Sequence, residues 1–311
     1  MNRSTWILGL AALVLAALVL VVIRPFEDSV RRDNPRKTKL VAIEDPASID
    51  GIEITAPGKQ FVLARSTSGW SVANRDDFPA DTAAVGSVLK AVANLSVGSV
   101  ASHNPAKQGT LGVDSLGVDV AVKASGRELA HFVVGKSDPG DFTSSFVRPA
   151  DSDDVYRVRG VNRNLFNRAQ GFRDRTLASF NPEDVASVEL AAADTGWVVT
   201  RADSVWAVSS PDGTEGEATE AQVKAITRIL STLSADGFQD EAIDGATAGL
   251  DEPEMTFTVR TLSGREWVVR IGAKNARGQH YASRPDRKAI YLINDWRLRS
   301  LRKRASDFLK T

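Results

Sequence analysis

The chain of 311 residues contains no cysteine. Disulfides, thiolate nucleophiles, cysteine-ligated zinc, iron–sulfur clusters and lipoprotein-type acylation are therefore excluded. Histidine is nearly as scarce, and the three that occur, His103, His131 and His280, do not stand at metal-ligand spacing to one another. We interpret each as a surface or strand residue, and the sequence predicts neither a metal site nor a cofactor.

The motifs that mark common enzyme chemistries are also missing. No phosphate-cradling G-x-x-x-x-G-K-[ST], no H-E-x-x-H and no G-x-S-x-G occurs. The acidic run "DSDD", residues 151–154, lacks the glycine and glutamate that complete a calcium loop, and we interpret it as a solvated turn. Lysine plus arginine (39) equals aspartate plus glutamate (39). The chain therefore lacks the basic excess that is typical of nucleic-acid binding.

One long apolar run is present, "WILGLAALVLAALVLVVI", residues 6–23. As a helix it is about 27 Å long, at ~1.5 Å per residue, which is close to the thickness of a bilayer core. It ends at Arg24 and Pro25, where signal peptidase requires small residues, so we predict an uncleaved membrane anchor rather than a signal peptide. The side chains predicted to contact lipid include Trp6, Leu10, Leu15, Leu20 and Ile23.

The orientation of this anchor is open on charge alone. Basic residues follow it at Arg24, Arg31, Arg32, Arg36, Lys37 and Lys39. The positive-inside rule would therefore keep the main domain in the cytoplasm, but the rule weakens where a long folded domain follows.

After the anchor the sequence repeats itself. "DPASIDGIEIT", which begins at Asp45, aligns with "NPEDVASVELA", which begins at Asn181. "RSTSGWSV" aligns with "RADSVWAV", and "FRDRTLASF" with "LRKRASDFL". We predict four parts: an anchor over 1–24, a juxtamembrane linker over 25–44, an α+β repeat over 45–180 and a second α+β repeat over 181–311.

Each predicted repeat contains one amphipathic helix, in "DTAAVGSVLKAVANL" and "TEAQVKAITRILSTL". The apolar residues recur at i, i+3 and i+7, as in a helix that lies on a sheet. They are Val85, Val88, Leu89, Val92 and Leu95 in the first repeat, and Val223, Ile226, Leu230 and Leu233 in the second. Asp81 and Thr219 are the predicted N-caps.

Alternating apolar and polar residues in "VDVAVKASGRE" and "MTFTVRTLSGRE" predict a β-hairpin after each helix. We expect Trp70 and Trp206 to fill the core where a strand faces the helix. We expect Gly135 and Gly272 to occupy turns that require positive φ. Because adjacent strands surround one helix, the predicted fold is α+β, with two tandem copies of a mostly antiparallel sheet packed on one amphipathic helix.

Two groups of basic residues are candidate binding sites. Arg148 and Arg284 each precede a proline at matching places in the repeats, where an arginine can clamp a carboxylate or phosphate; packing or a local ion pair is the alternative. The C-terminal "DWRLRSLRKRASDFLK" predicts a basic amphipathic segment that contacts anionic lipid or a partner, with a solvated docking helix as the alternative. Its basic residues are Arg297, Arg299, Arg302, Lys303 and Arg304, and its apolar residues are Trp296, Leu298, Leu301 and Phe308.

The order of these motifs resembles a known family. An N-terminal anchor followed by paired copies of "I..I.I", "W.v", an amphipathic helix, "GL..P" and "v.IG" is similar to the bacterial domain of unknown function 4340. The first repeat departs from the pattern, with "LGVDSL" in place of Gly-Leu-x-x-Pro and "FVVG" in place of Ile-Gly. The resemblance implies no catalytic or binding residue. It implies an envelope protein encoded beside ABC-type export and gliding-motility components, and thereby a single-pass inner-membrane protein with a periplasmic main domain.

We therefore expect a non-enzymatic, membrane-anchored accessory or scaffold protein of an ABC-type transport or envelope assembly. It would bind the lipid bilayer through its anchor and a transporter or envelope protein, or the exported substrate, through its repeats. Two alternatives stay open: an envelope hydrolase that uses scattered carboxylates, and a membrane-anchored scaffold that faces the cytoplasm.

Overall fold

The computed structural model describes residues 43, 45–96, 98–192, 195–203 and 205–310. The predicted anchor lies outside these residues, as does the predicted linker apart from Ile43. Within the described ranges, every helix is too short or too polar to reach across a lipid bilayer.

The first sheet has nine strands, and each neighbouring pair is antiparallel. The strands lie side by side in the order β4-β3-β2-β1-β6-β7-β8-β9-β5. Their bounds are β1 Gly51–Ala56, β2 Lys59–Ser66, β3 Gly69–Val72, β4 Phe78–Pro79, β5 Val100–Ser102, β6 Val118–Ala124, β7 Arg127–Asp138, β8 Asp141–Pro149 and β9 Val155–Arg159.

The second sheet also has nine antiparallel strands, in the order β13-β12-β11-β10-β15-β16-β17-β18-β14. Adding nine to each strand number of the first sheet gives the second, so the two sheets share one topology. The predicted sheet-based fold, mostly antiparallel and repeat-like, is confirmed. The bounds are β10 Val185–Ala192, β11 Trp197–Ala202, β12 Val205–Ser209, β13 Glu215–Ala218, β14 Gly237–Phe238, β15 Met255–Thr261, β16 Glu266–Lys274, β17 Gln279–Ser283 and β18 Tyr291–Asn294.

The helices are few and short. The two longest are α1, Thr82–Ala93, and α4, Glu220–Leu230. Each lies, in chain order, between the fourth and fifth strands of its sheet, and both bury their predicted apolar face in the core. Asp81 caps α1, because its side chain accepts a hydrogen bond from Ala84 N at 2.9 Å. Thr219 stands at the N-cap of α4 but makes no such bond, and its hydroxyl donates to Leu309 O at 3.3 Å. The helices are α1 Thr82–Ala93, α2 Gln108–Leu111, α3 Arg163–Phe166, α4 Glu220–Leu230 and α5 Asp295–Arg299.

Each sheet has its own hydrophobic core, and the tryptophan prediction needs correction there. Trp70 and Trp206 are only half-buried and pack against the margins of the two cores. Both lie on the second strand from a sheet edge, β3 and β12. The fully buried indole is Trp197, whose ring packs at a tilt against that of Phe308, with 4.7 Å between the ring centroids, and whose Nε1 donates to Lys303 O at 2.8 Å.

The prediction that Gly135 and Gly272 occupy turns with positive φ was wrong. Gly135 and Gly272 lie inside β7 and β16 and do not have positive φ. A β-carbon at Gly135 would stand 2.5 Å from Leu111 O, and one at Gly272 would stand 2.2 Å from Ala248 O. These glycines are therefore required for close packing of a loop on the strand, not for a turn.

The two halves of the molecule meet through an aromatic cluster. The edge strand β4 contributes Phe78, whose ring lies 5.3 Å from that of Phe238 on the edge strand β14 and 6.4 Å from that of Tyr291 on β18. Arg173 adds an ion pair with Asp240 at 2.7 Å, and its guanidinium lies 3.8 Å from the centre of the Phe238 ring.

Residues 160–184 join the two sheets, and part of this segment, which we call the connection, pairs with both of them. Arg173 forms an isolated antiparallel bridge with Ala80, just after β4, and Thr176 forms another with Ser234, just before β14. The backbone of this connection therefore belongs to the contact between the repeats, which positions the cleft described next.

Candidate functional site

A cleft of about 560 Å³ lies where the second repeat abuts the connection and the first turn of α1. We call it the inter-repeat cleft. Its charged and aromatic lining consists of four arginines, one tryptophan and three aspartates: Arg175, Arg265, Arg284, Arg287, Trp267, Asp81, Asp174 and Asp286.

Trp267 on β16 lies against two of the four arginines of the cleft. Its side chain is buried, with 8% of the residue exposed. The guanidinium carbon of Arg265 lies 4.3 Å from the centre of the indole, and that of Arg284 lies 5.0 Å from it. Cations at such distances are attracted to the aromatic ring. The indole Nε1 is buried without a hydrogen-bond partner among the described residues.

Arg284 is the most constrained of the four arginines. It binds Asp286 in a bidentate fashion, with Nε 2.9 Å from Oδ1 and Nη2 2.7 Å from Oδ2. Its Nη1 donates to Thr176 O at 2.7 Å, which ties the second repeat to the connection. Burial raises the pKa of Asp286, but the hydrogen bonds and charge of Arg284 outweigh burial, and the pKa lies below its ordinary value.

Arg148, the predicted counterpart of Arg284, is not in the cleft. Its guanidinium donates to four backbone carbonyl oxygens at 3.1 to 3.3 Å, those of Val113, Pro149, Ala150 and Ser152. It thereby holds the loop after β8 against the loop after α2. The structure does not bring the two candidate arginines together.

The C-terminal basic segment lies on the second repeat, and its helix α5 spans only five residues. Leu298, Leu301 and Phe308 are fully buried in the core, while Trp296 is 58% exposed. The basic side chains face groups of the same repeat: Arg297 pairs with Asp236 at 3.0 Å, Arg299 with Asp295 at 3.7 Å, Arg302 with Asp295 at 3.3 Å, and Lys303 donates to Gln222 at 3.0 Å. Arg304 caps the following turn, since its backbone N donates to Asp307 at 2.8 Å.

Asp295 is the centre of a second polar cluster. Lys274 Nζ and His280 Nε2 each lie 3.1 Å from its Oδ1. Hydrogen bonds from Lys274 and then His280 lower the pKa of Asp295 to about 2. His280 is fully buried on β17, and its Nδ1 lies 2.9 Å from Gly272 O. The carboxylate thus binds the C-terminal segment to the sheet.

The remaining histidines and acidic residues form local contacts. His103 lies 2.7 Å from Asp154, and His131 lies 3.0 Å from Asp119. In the "DSDD" turn, Asp153 accepts a hydrogen bond from Gln108 at 3.1 Å. Across the described part of the chain, no three His, Asp or Glu side chains converge in a way that could hold a metal ion.

Six of the eight residues that define the cleft were missed from the sequence: Arg175, Arg265, Trp267, Arg287, Asp174 and Asp286. A signal for one of them was present in the alignment of the repeats. Counted from the paired glycines Gly135 and Gly272, Trp267 stands where the first repeat has Ala130. Arg265 is matched by Arg127, because each arginine directly follows the glycine of its hairpin turn. A difference between repeats at matched strand positions would have marked this place.

Comparison with known proteins gives a family. No curated protein matches the chain, and no solved structure matches it. A family model described as "Domain of unknown function (DUF4340)" matches residues 70–253 and 217–311. Together these ranges run from β3 to the C-terminus and include most of both sheets. The chain therefore belongs to the family of the domain of unknown function DUF4340.

Proposed function

We propose that this protein is a non-enzymatic, membrane-anchored accessory or scaffold protein of a bacterial ABC-type transport or envelope assembly. Its anchor crosses the inner membrane, and its two repeats face the periplasm. The observation that carries the proposal is the inter-repeat cleft, a concave surface to which the second repeat, the connection and the first repeat all contribute. Concave surfaces at the boundary of two units are common places for ligand binding.

The charged groups of the cleft favour binding over hydrolysis. A carboxyl group that acts as a general acid needs a raised pKa. The pKa of Asp286 is lowered instead, because Arg284 stabilises its ionised form despite burial. Among the described residues, the other carboxyl groups with a shifted pKa, Asp141, Asp212, Glu220, Asp244 and Asp295, are shifted downward as well.

Copurification tests the proposed assembly. The full-length chain, tagged and extracted in mild detergent, is expected to bring down ABC-type transporter or envelope subunits. A Leu15→Arg variant, which places a charge in the predicted anchor, is the control and is expected to leave the membrane fraction and lose these subunits. Isolation of the wild-type chain alone, together with unchanged export after deletion of its gene, would contradict the proposal.

A topology reporter decides the orientation. Alkaline phosphatase fused after Thr311 is expected to be active, because the enzyme matures only outside the cytoplasm. The basic residues after the anchor favour the opposite orientation. A fluorescent cytoplasmic reporter at the same position, with an inactive phosphatase fusion, would establish the cytoplasm-facing scaffold instead.

A further inference from the structure

We propose that the inter-repeat cleft binds an oxyanion, a carboxylate or phosphate group carried by a small ligand. The inference rests on the proposed binding function and names the ligand chemistry of its site. Arginine binds both groups through the same pair of parallel N–H bonds. The cleft, at about 560 Å³, has the volume of a small-molecule site.

Three of the four arginines have donors to offer. Arg265 is exposed, and its guanidinium has no hydrogen-bond or ion-pair partner among the described residues. Arg287 has its nearest carboxylate oxygen, on Asp286, 4.0 Å away. That oxygen already accepts from Arg284. Arg175 donates once, from Nη1 to Ala235 O at 3.2 Å.

Two of the three acidic residues of the cleft, Asp81 and Asp286, already face an arginine, and the third, Asp174, accepts one backbone hydrogen bond. Asp81 accepts from Ala84 N as the cap of α1, and its other oxygen lies 3.8 Å from Arg168. Asp174 accepts from Thr176 N at 3.0 Å. Asp286 is clamped by Arg284. The cleft therefore keeps a surplus of cationic donors that an anion would stabilise.

Trp267 supplies the second, independent observation. Its residue is more than nine-tenths buried, and its indole N–H has no acceptor among the described residues. A buried donor without a partner is unfavourable, and such groups are rare. Trp267 lines the cleft, and an oxyanion that displaced the side chains covering this donor would satisfy it. The same ring also holds the guanidiniums of Arg265 and Arg284 beside the cleft.

The shared topology does not by itself require Trp267. At the matched position of the first repeat stands Ala130, whereas Arg265 is matched by Arg127 in the hairpin turn. The buried indole N–H is therefore a feature of the second repeat that its sheet topology does not explain.

Calorimetric titration of the full-length protein in mild detergent tests the site. Succinate and inorganic phosphate are the probes, at constant ionic strength, with chloride as the reference anion. We expect at least one of the two probes to bind saturably and more tightly than chloride. The probe that binds more tightly shows whether the site prefers a carboxylate or a phosphate. Arg265→Ala and Arg287→Ala are each expected to weaken binding at least tenfold, and Trp267→Phe, which keeps a ring but removes the N–H, severalfold.

Arg277→Ala is the matched control, because Arg277 is an exposed arginine in the turn between β16 and β17, outside the cleft. It is expected to bind as wild type does. Equal thermal unfolding midpoints for the wild type and the Arg265, Arg287 and Arg277 variants show that each variant is folded. No saturable binding beyond chloride, or an equal loss in Arg277→Ala, would overturn the site. Loss of binding with intact copurification rejects the site alone, and binding without copurification rejects the proposed assembly alone.

Discussion

The two repeats perform the same structural tasks with matched residues. In the first, Asp81 N donates to Phe172 O at 2.7 Å; in the second, Thr219 N donates to Phe308 O at 2.6 Å. Each phenylalanine then packs on an aromatic ring of the second strand of its sheet, Phe61 or Trp197. The positions that build the sheet and close it on its helix are therefore filled alike in both copies.

The differences lie where one repeat meets the other. Val72 pairs with Phe78 across β3 and β4, whereas the matched Val208 pairs with Gly216 across β12 and β13. The first repeat thus carries a ring that docks the second repeat, and the second repeat has no ring at that place. This comparison teaches that shared positions specify the fold, while unshared positions specify the junction and its cleft.

The largest effect is expected at the paired glycines. Gly272→Ala forces a methyl group to within 2.2 Å of Ala248 O, and Gly135→Ala forces one to within 2.5 Å of Leu111 O. We expect losses in the free energy of unfolding of about 3 and about 2 kcal/mol, respectively. Urea denaturation measures both. Gly237→Ala is the control, since nothing lies within 4 Å of its added β-carbon, and a loss there as large as at Gly272 would contradict the close-packing argument.

The next largest effect is expected at Phe78, in the contact between the two repeats. Phe78→Ala removes a half-buried ring from the aromatic cluster and should cost about 2 kcal/mol, less than for a fully buried phenylalanine. Because this ring couples the repeats, we expect calorimetry to show one thermal transition for the wild type and two for Phe78→Ala. Leu262→Ala, at a residue 63% exposed, should leave the transition unchanged. A single, uniformly shifted transition in Phe78→Ala would show that the connection alone couples the repeats.

The residues at the N-termini of α1 and α4 are expected to contribute unequally to stability. Asp81 bonds the backbone of α1, whereas Thr219 makes no side-chain cap bond to α4. Asp81→Ala should therefore cost about 1 kcal/mol, and Thr219→Ala only about 0.3 kcal/mol. Chemical denaturation of the two variants side by side measures the difference. Equal losses would mean that the hydrogen bond from Thr219 to Leu309 O stabilises the second repeat as strongly as a cap.

The smallest expected difference between the repeats is in their stability at acid pH. The pKa of Asp295 is lowered from 3.8 to about 2, while the matched position of the first repeat is Gly160. A carboxyl group whose folded pKa is lowered contributes stability that is complete above the unfolded value and is lost as pH falls through the folded value. The wild type should therefore lose more stability than Asp295→Asn as the pH falls from about 4 to about 2. Parallel curves of unfolding midpoint against pH would contradict this role.

Much of the fold follows from sequence periodicity. The repeated apolar spacing predicted α1 and α4, and the alternating runs predicted the hairpins β6–β7 and β15–β16. Asp81 was predicted as an N-cap because capping depends on neighbours within one turn. In contrast, the short edge strands β4 and β14 carry only two residues each, too few for any period to show.

The site was harder to predict because it depends on contacts between distant segments. Arg284 was selected for its resemblance to Arg148, yet the two guanidiniums bind different partners. Trp267 lies in an ordinary alternating strand, and only the position of the connection shows that it lines a cleft. Periodicity reports which face of a strand is buried, but not which other segment covers it.

Leu309 and Lys310 lie beside β13, the edge strand of the second sheet. Leu309 forms a bridge with Ala218, and Lys310 N donates to Glu217 O at 3.2 Å. An exposed edge strand offers free backbone groups on which another polypeptide can add a strand, which leads to aggregation or fibre growth. Here Leu309 and Lys310 cover part of the β13 edge, so fewer of its backbone groups are free to pair with an added strand.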